Sequence, residues 1–130
     1  SIVCKFKHSE DFIINCNQIN FSDSILNIID NSIYALVNNK DKEDRYILIN
    51  FSNKILSIKD SGNGIEEEII TKICEPYFTT KHQSFGVGLG LFTVHEFFVR
   101  NLNFKIEFKN EEFEYKNKKL KGLNININFN

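Results

Sequence analysis

Six glycines and one proline serve 130 residues, and five of the glycines stand in two short clusters. Asp60-Ser61-Gly62-Asn63-Gly64-Ile65 is the first and Gly86-Val87-Gly88-Leu89-Gly90-Leu91 the second. Pro76 lies between them and Gly122 stands apart. A chain this sparing with glycine places it where the backbone takes unusual dihedrals or something must approach closely. The clusters therefore read as two edges of one ligand site. The second would open a helix, and free N–H groups at a helix start favour an anion such as phosphate. It lacks the Gly-Lys-Ser/Thr ending of a P-loop, and its GxGxG spacing without a preceding strand is not a dinucleotide fingerprint. The first cluster fails as an EF-hand calcium loop: Gly62 sits where an oxygen ligand is needed and Ile65 where glycine is required.

Asparagine supplies the third group. Asn27, Asn31, Tyr34 and Asn38 follow one another at spacings of four, three and four, a single stripe on a helix. Helical asparagines usually form a solvated face. Here two sit one turn apart beside an apolar face, and amide oxygens so placed suit a hard cation such as magnesium.

These residues need elements to position them. Residues 2–7 and 12–16 read as short strands turning at Ser9 to Asp11. A helix is expected at about 23–38, from the period of Ile25, Leu26, Ile28, Ile29, Ile33, Leu36 and Val37. Ser22 would cap it, with Phe21 and Leu26 as a hydrophobic staple. Asn38 to Asp44 reads as a polar loop. Arg45 to Phe51 and Lys54 to Lys59 read as a hairpin turning at Ser52-Asn53. Glu66, Glu67 and Glu68 open a short helix at the dipole's positive end. Residues 75–87 form a loop, and a second long helix runs from near Gly88 to about Arg100. Two strands close the chain, with Phe104, Ile106 and Phe108 and then Leu123, Ile125, Ile127 and Phe129 alternating with polar residues. One wet face on each predicts a sheet covered by helices on one side only.

Length and composition bound the alternatives. One domain is expected at 130 residues. A net charge of −1, with basic residues dispersed except over Lys116 to Lys121, gives no nucleic-acid or acidic-membrane surface. No apolar run approaches the ~20 residues that span a bilayer, and the alternating N-terminus does not read as a signal peptide. Cys4, Cys16 and Cys74 lack metal-ligand spacing and read as reduced thiols. A chain without methionine is expected to be a fragment of a longer protein.

In this order the motifs resemble those of the GHKL ATPase superfamily, and within it the histidine kinases, over essentially the whole chain. Asn27-Ile28-Ile29-Asp30-Asn31-Ser32 is similar to the N box and Asp60 to Ile65 to the G1 box. Glu75-Pro76-Tyr77-Phe78-Thr79-Thr80-Lys81 is similar to the F box and Gly86 to Leu91 to the G2 box. The resemblance implies a two-layer α/β sandwich of the Bergerat type, a mixed sheet with helices on one face, and ATP and Mg2+ as cofactors. Asp60 would accept from the adenine amine, refusing guanine. Gly62 and Gly64 would let the backbone pass close to the base. Asn31 would ligate magnesium, Asn27 would support the triphosphate, and Gly86, Val87, Gly88, Leu89 and Gly90 would wrap it. Residues 77–87 would form an ATP lid with Thr80 and Lys81 at the phosphates and Phe78 as an anchor. Tyr34 stands where many histidine kinases carry a basic residue, and Val87 where threonine is common.

Position 27 separates the branches. The gyrase, Hsp90 and MutL branch carries glutamate there to activate water; Asn27 cannot be that base. The resemblance therefore implies a catalytic domain that donates the γ-phosphate of ATP to a histidine on a separate dimerisation domain. A serine-kinase or anti-sigma member, which usually carries glutamate there, and a non-catalytic docking module are the alternatives. His8, His82 and His95 lack the flanks of a phosphoacceptor site, so residues 1–130 are expected to hold ATP without the whole reaction. The implied partners are the parent's own dimerisation domain and a response regulator. The implied setting is cytoplasmic, on a parent that is homodimeric and either soluble or membrane-anchored, with the fragment itself a monomer.

Overall fold

The chain opens with a β–α–β crossover. β1 (Val3–His8) and β2 (Tyr46–Ser52) run parallel, with Val3 beside Tyr46 and His8 beside Phe51. Parallel neighbours cannot be joined by a tight turn, so α1 (Gln18–Val37) carries the chain back across one face of the sheet. The structure, a computed structural model, describes residues 1–39, 43–73, 75 and 90–130. β2 forms a hairpin with β3 (Ile55–Asp60), and β4 (Lys105–Tyr115) forms one with β5 (Lys118–Asn128). β5 pairs antiparallel with β3, so the strand order is β1-β2-β3-β5-β4. Between the hairpins lie α2 (Glu67–Ile70) and α3 (Gly90–His95), and α3 leads into a π-helical turn over Glu96–Asn101.

The sheet is mixed and the helices cover one face, as the one-sided strands predict. Ile47 of β2, Ile58 of β3, and Ile125 and Ile127 of β5 meet Ile28 and Leu36 of α1, Leu91 and Val94 of α3, and Phe97 and Phe98 beyond it. Phe98 is fully buried and stands 5.9 Å from Phe21, 5.0 Å from Phe97 and 6.2 Å from Phe129, ring to ring. Edge-to-face stacking adds about 1 kcal/mol per pair to the burial of such rings.

Several local expectations shift. Residues 12–16 form no strand; 9–17 belong to the crossover that carries the chain from β1 to α1. Phe12 instead packs on Phe51 and Phe129, and Ile14 and Cys16 pack against the core. The first helix starts earlier than its apolar period suggests, since the Asn17 side chain accepts from the Asn20 N–H. That cap replaces Ser22 and the staple, both of which fall inside the helix. The buried stripe of α1 is Ser24, Ile28, Ser32 and Leu36, while Leu26, Ile33 and Val37 are exposed. The β2–β3 turn lies one residue later than expected: Ser52 pairs with Ile55, and Asn53 and Lys54 are both left-handed. Lys116 and Asn117 turn the second hairpin in the same way. Two such residues match the twist of the flanking strands. The last helix is described from Gly90 on; its expected start near Gly88 and nearly all of the loop expected over 75–87 lie outside the described residues.

The polar side of β5 is drier than its alternation implies. Asn124 is buried, accepting from Ser57 Oγ at 2.8 Å and donating to Glu111 Oε2 at 3.2 Å. Lys59 reaches the same Glu111 oxygen at 3.2 Å and lies over the Phe113 ring. A network of amide, carboxylate and ammonium groups thus closes over part of the open face.

Candidate functional site

α1 gathers the site. Its Asn27–Asn31 turn faces the start of α3, where a Cβ added to Gly90 would meet Asn31 Nδ2 at 3.8 Å and Asn27 Cγ and Oδ1 at 3.9 Å. Eight residues past Asn27 and four past Asn31, about 12 Å and about 6 Å at the helical rise, Ala35 meets the loop after β3: a Cβ at Gly62 would come within 2.8 Å of Ala35 Cβ. One helix face therefore touches both glycine clusters. Asn31 is half-buried and its Nδ2 donates to the Asn27 carbonyl at 2.8 Å. One N–H of this amide is thus held by its own helix, and Oδ1 is the atom it could offer a cation. Asn38 belongs to the same stripe but caps α1, its Nδ2 donating to the Tyr34 carbonyl at 2.8 Å. Tyr34 is half-buried.

Asp60 ends β3 and is 3% exposed. Its Oδ1 accepts from the Gly62 N–H at 2.9 Å and the Leu123 N–H at 3.4 Å. Burial pushes its carboxyl above the usual aspartate range, and the bonds from Gly62, Leu123 and the Ser32 side chain offset only part of that rise. Among the described residues Asp60 forms no ion pair. A buried carboxylate with an oxygen free of backbone donors, and no cation to neutralise it, is a costly arrangement in a structural role. It suits an acceptor kept for a ligand donor.

Gly122, which the motifs do not include, belongs here too. A Cβ on it would overlap the Asp60 carbonyl, so β5 passes under the end of β3 only because residue 122 has none. Glycine inside a strand marks the close approach of another backbone, and the sixth glycine of a glycine-poor chain was the signal that could have found it. Gly62 and Gly64 likewise fit the protein's own packing, against Ala35 and Asn110 respectively.

Asn27, Asn31, Asp60, Gly62 and Gly90 thus meet along α1, with Gly64 in the same loop as Asp60. Thr80, Lys81, Gly86, Val87, Gly88 and Leu89, and with them the lid, lie outside the described residues. His8 is exposed and stacked on Phe6, His95 is half-buried at the end of α3, and His82 is outside the described residues. Cys4 and Cys16 are free thiols.

Residues 17–128 match the model of the histidine kinase-, DNA gyrase B- and HSP90-like ATPases, and the chain belongs to that family. Its similar proteins include sensor kinases. It is 41% identical over 56 residues to the two-component sensor PprA of Pseudomonas aeruginosa, covering 43% of this chain and 6% of that protein. It is 30% identical over 88 residues to sporulation kinase C of Bacillus subtilis, covering 65% and 19%. The chain thus spans less than a fifth of the length of either relative. Among solved structures, the nucleotide-free catalytic domain of the histidine kinase ThkA superposes with a TM-score of 0.67 at 26% identity, over 95% of this chain and 76% of that one. ThkA in complex with the response regulator TrrA matches with a TM-score of 0.64 at 22% identity, over 95% and 33%. Among the described residues no helix is long and apolar enough to cross a membrane.

Proposed function

We propose that this chain is the ATP-binding catalytic domain of a two-component sensor histidine kinase and delivers the γ-phosphate of ATP to a histidine on the parent's dimerisation domain. The observation that carries the proposal is the alignment along α1. The buried Asp60 carboxylate lies at one end, and the Asn27–Asn31 amides face the glycine that opens α3 at the other. Asp60 accepts from the exocyclic amine of adenine, while the carbonyl that guanine presents there would meet a second acceptor. Gly62 and Gly64 form the loop beside the base.

Magnesium fits the far end. Its hard shell takes oxygen from one or two protein ligands and from phosphates and water. Asn31 Oδ1 is such an oxygen, and Asn27 lies beside the triphosphate. An ion held there by Asn31 Oδ1 would supply positive charge to offset the charge that develops on the phosphoryl group during transfer. By the family resemblance, Gly86, Val87, Gly88, Leu89 and Gly90 would wrap the phosphates, and Thr80 and Lys81 would contact them. Asn27 has no basic atom to deprotonate water, which favours transfer to a protein acceptor over hydrolysis.

Residues 1–130 then act as one module of a longer, homodimeric kinase, monomeric when isolated. A response regulator takes the phosphoryl group onward, consistent with the complex known for ThkA, and the domain works on the cytoplasmic side. The test is labelling with γ-32P ATP, with and without the parent's dimerisation domain as a separate polypeptide. The chain alone should bind ATP and stay unlabelled, and the added domain should acquire acid-labile label. Label on the isolated chain would make His8, His82 or His95 an acceptor. Rapid phosphate release would move the chain to the hydrolytic branch.

A further inference from the structure

Asn63 and Gly64 sit side by side with φ of 72° and 74°. Successive left-handed residues persist where the surroundings over-determine them, and this loop is held from two directions. On the α1 side, Asn63 Nδ2 donates to Asn39 Oδ1 at 2.9 Å and Asn39 Nδ2 to the Ser61 carbonyl at 3.2 Å. The Asn63 N–H donates to the Lys121 carbonyl at 2.9 Å. On the other side stands Asn110 of β4. Its Oδ1 accepts from the Ile65 N–H at 2.9 Å, and its Nδ2 donates to the Ile65 carbonyl and, at 3.2 Å, to Glu67 Oε1.

Asn110 thus engages both backbone groups of one residue, as a neighbouring strand would, across 45 positions of sequence. Alternation puts it on the β4 face shared by Ile106 and Phe108, which pack on the core, so the polar group there interrupts an apolar row. The fit to Gly64 is equally close. A Cβ at Gly64 would overlap the Asn110 amide, so the glycine and the asparagine make one joint. Gly64 lies in the same loop as Gly62, whose N–H donates to the Asp60 carboxylate.

We infer that Asn110 is a positioning residue for purine recognition. It fixes the Gly64–Ile65 backbone so that the loop beside Asp60 is set before a base arrives, with no contact of its own to the nucleotide. The inference rests on the adenine-binding reading given above. Its consequence is selective. The Asn27–Asn31 turn lies four to eight residues, roughly 6–12 Å, from Ala35 along α1, and Asn31 bonds within its own helix and not to this loop, so loss of Asn110 should degrade choice of base and leave the magnesium dependence alone. Pre-set loops strengthen binding by avoiding the entropy of ordering on contact.

The experiment compares the wild-type chain with Asn110→Ala, measuring ATP and GTP affinities with and without magnesium, and hydrogen exchange at the Ile65 amide without nucleotide. Two lost hydrogen bonds to the loop should lower ATP affinity about tenfold. GTP affinity should change by less than about threefold, since its base gains nothing from the loop set against it. The ratio of ATP to GTP affinity therefore falls while the gain from magnesium persists. ATP and GTP falling by one factor would make Asn110 merely structural and overturn the inference, as would unchanged ATP affinity in a folded variant. If Asn110→Ala does not fold, the Ile65 amide of the wild type decides: slow exchange supports the clamp and fast exchange removes it. A wild-type chain that binds no nucleotide would sink the proposed function itself. A wild type that binds ATP beside a variant that binds it equally well would sink only this inference.

Discussion

Asp60→Asn separates the ligand role of the carboxylate from its structural role, because the two respond with opposite signs. The change is nearly isosteric. The remaining Oδ1 can keep the bonds from Gly62 and Leu123, and the Ser32 hydroxyl can rotate to accept. What goes is a buried charge that burial already disfavours. The nucleotide-free variant should therefore melt higher than wild type at neutral pH. The folded carboxyl titrates above its unfolded value, so the penalty of the buried charge is fully present above the folded pKa. It fades as pH falls toward the ordinary aspartate range. The stability gap should narrow on acidification. Binding moves the other way. An amide nitrogen now faces the adenine amine, donor to donor, and a hydrogen bond to a charged acceptor worth about 1.5–3 kcal/mol is lost. ATP affinity should fall by roughly tenfold to a hundredfold, and GTP, which offers a carbonyl, should gain on ATP. Calorimetric titration with both nucleotides and thermal melts from neutral to acidic pH supply the readouts. A variant that melts lower at neutral pH, or binds ATP as the wild type does, would refute the reasoning.

Three further substitutions probe other parts of the structure. Asn31→Ala should abolish most of the magnesium-dependent gain in ATP affinity while the urea midpoint moves little, since the Asn31 amide bonds within its own helix; a collapsed fold with magnesium dependence intact would make the stripe structural. Gly122→Ala forces a methyl into the Asp60 carbonyl and should destabilise by about 3 kcal/mol or more, read by urea unfolding, with ATP binding lost as the end of β3 shifts. Phe98→Ala empties the centre of the aromatic cluster and should cost about 3–5 kcal/mol by the same measurement.

Much of this architecture was legible from local pattern. The helix carrying Asn27 and Asn31, the β2–β3 hairpin and the one-faced sheet all follow from periods of apolar residues, which burial enforces directly. The strand expected at 12–16 failed because Phe12, Ile14 and Cys16 alternate like a strand, but in the crossover their side chains are placed by packing on Phe51, Phe129 and the core and not by strand pairing. Ser22 misled because a serine before an apolar run looks like a cap, whereas Asn17 captured the Asn20 N–H a turn earlier. At the site, Asp60 and the clustered glycines stood out because glycine is rare here. Asn110 and Gly122 did not, since their roles arise between elements far apart in the chain and no spacing encodes them.

The last strand carries a hidden degeneracy. Leu123-Asn124-Ile125-Asn126-Ile127-Asn128 repeats every two residues, so a slip of β5 by two positions would still turn apolar groups inward and asparagines outward, and hydrophobic burial alone would scarcely detect it. Detection falls to the few unrepeated features. A slipped strand would bring Leu120 or Asn124 under the Asp60 carbonyl, where only Gly122 fits, and would pull Asn124 from Ser57 and Glu111. The spot where β5 crosses the base of Asp60 therefore acts as a proofreading point for assembly. A misaligned β5 would leave Asp60 without its Leu123 donor and the purine side of the site unbuilt, so a chain in which this carboxylate is correctly seated has, by that fact, paired its sheet in the right frame.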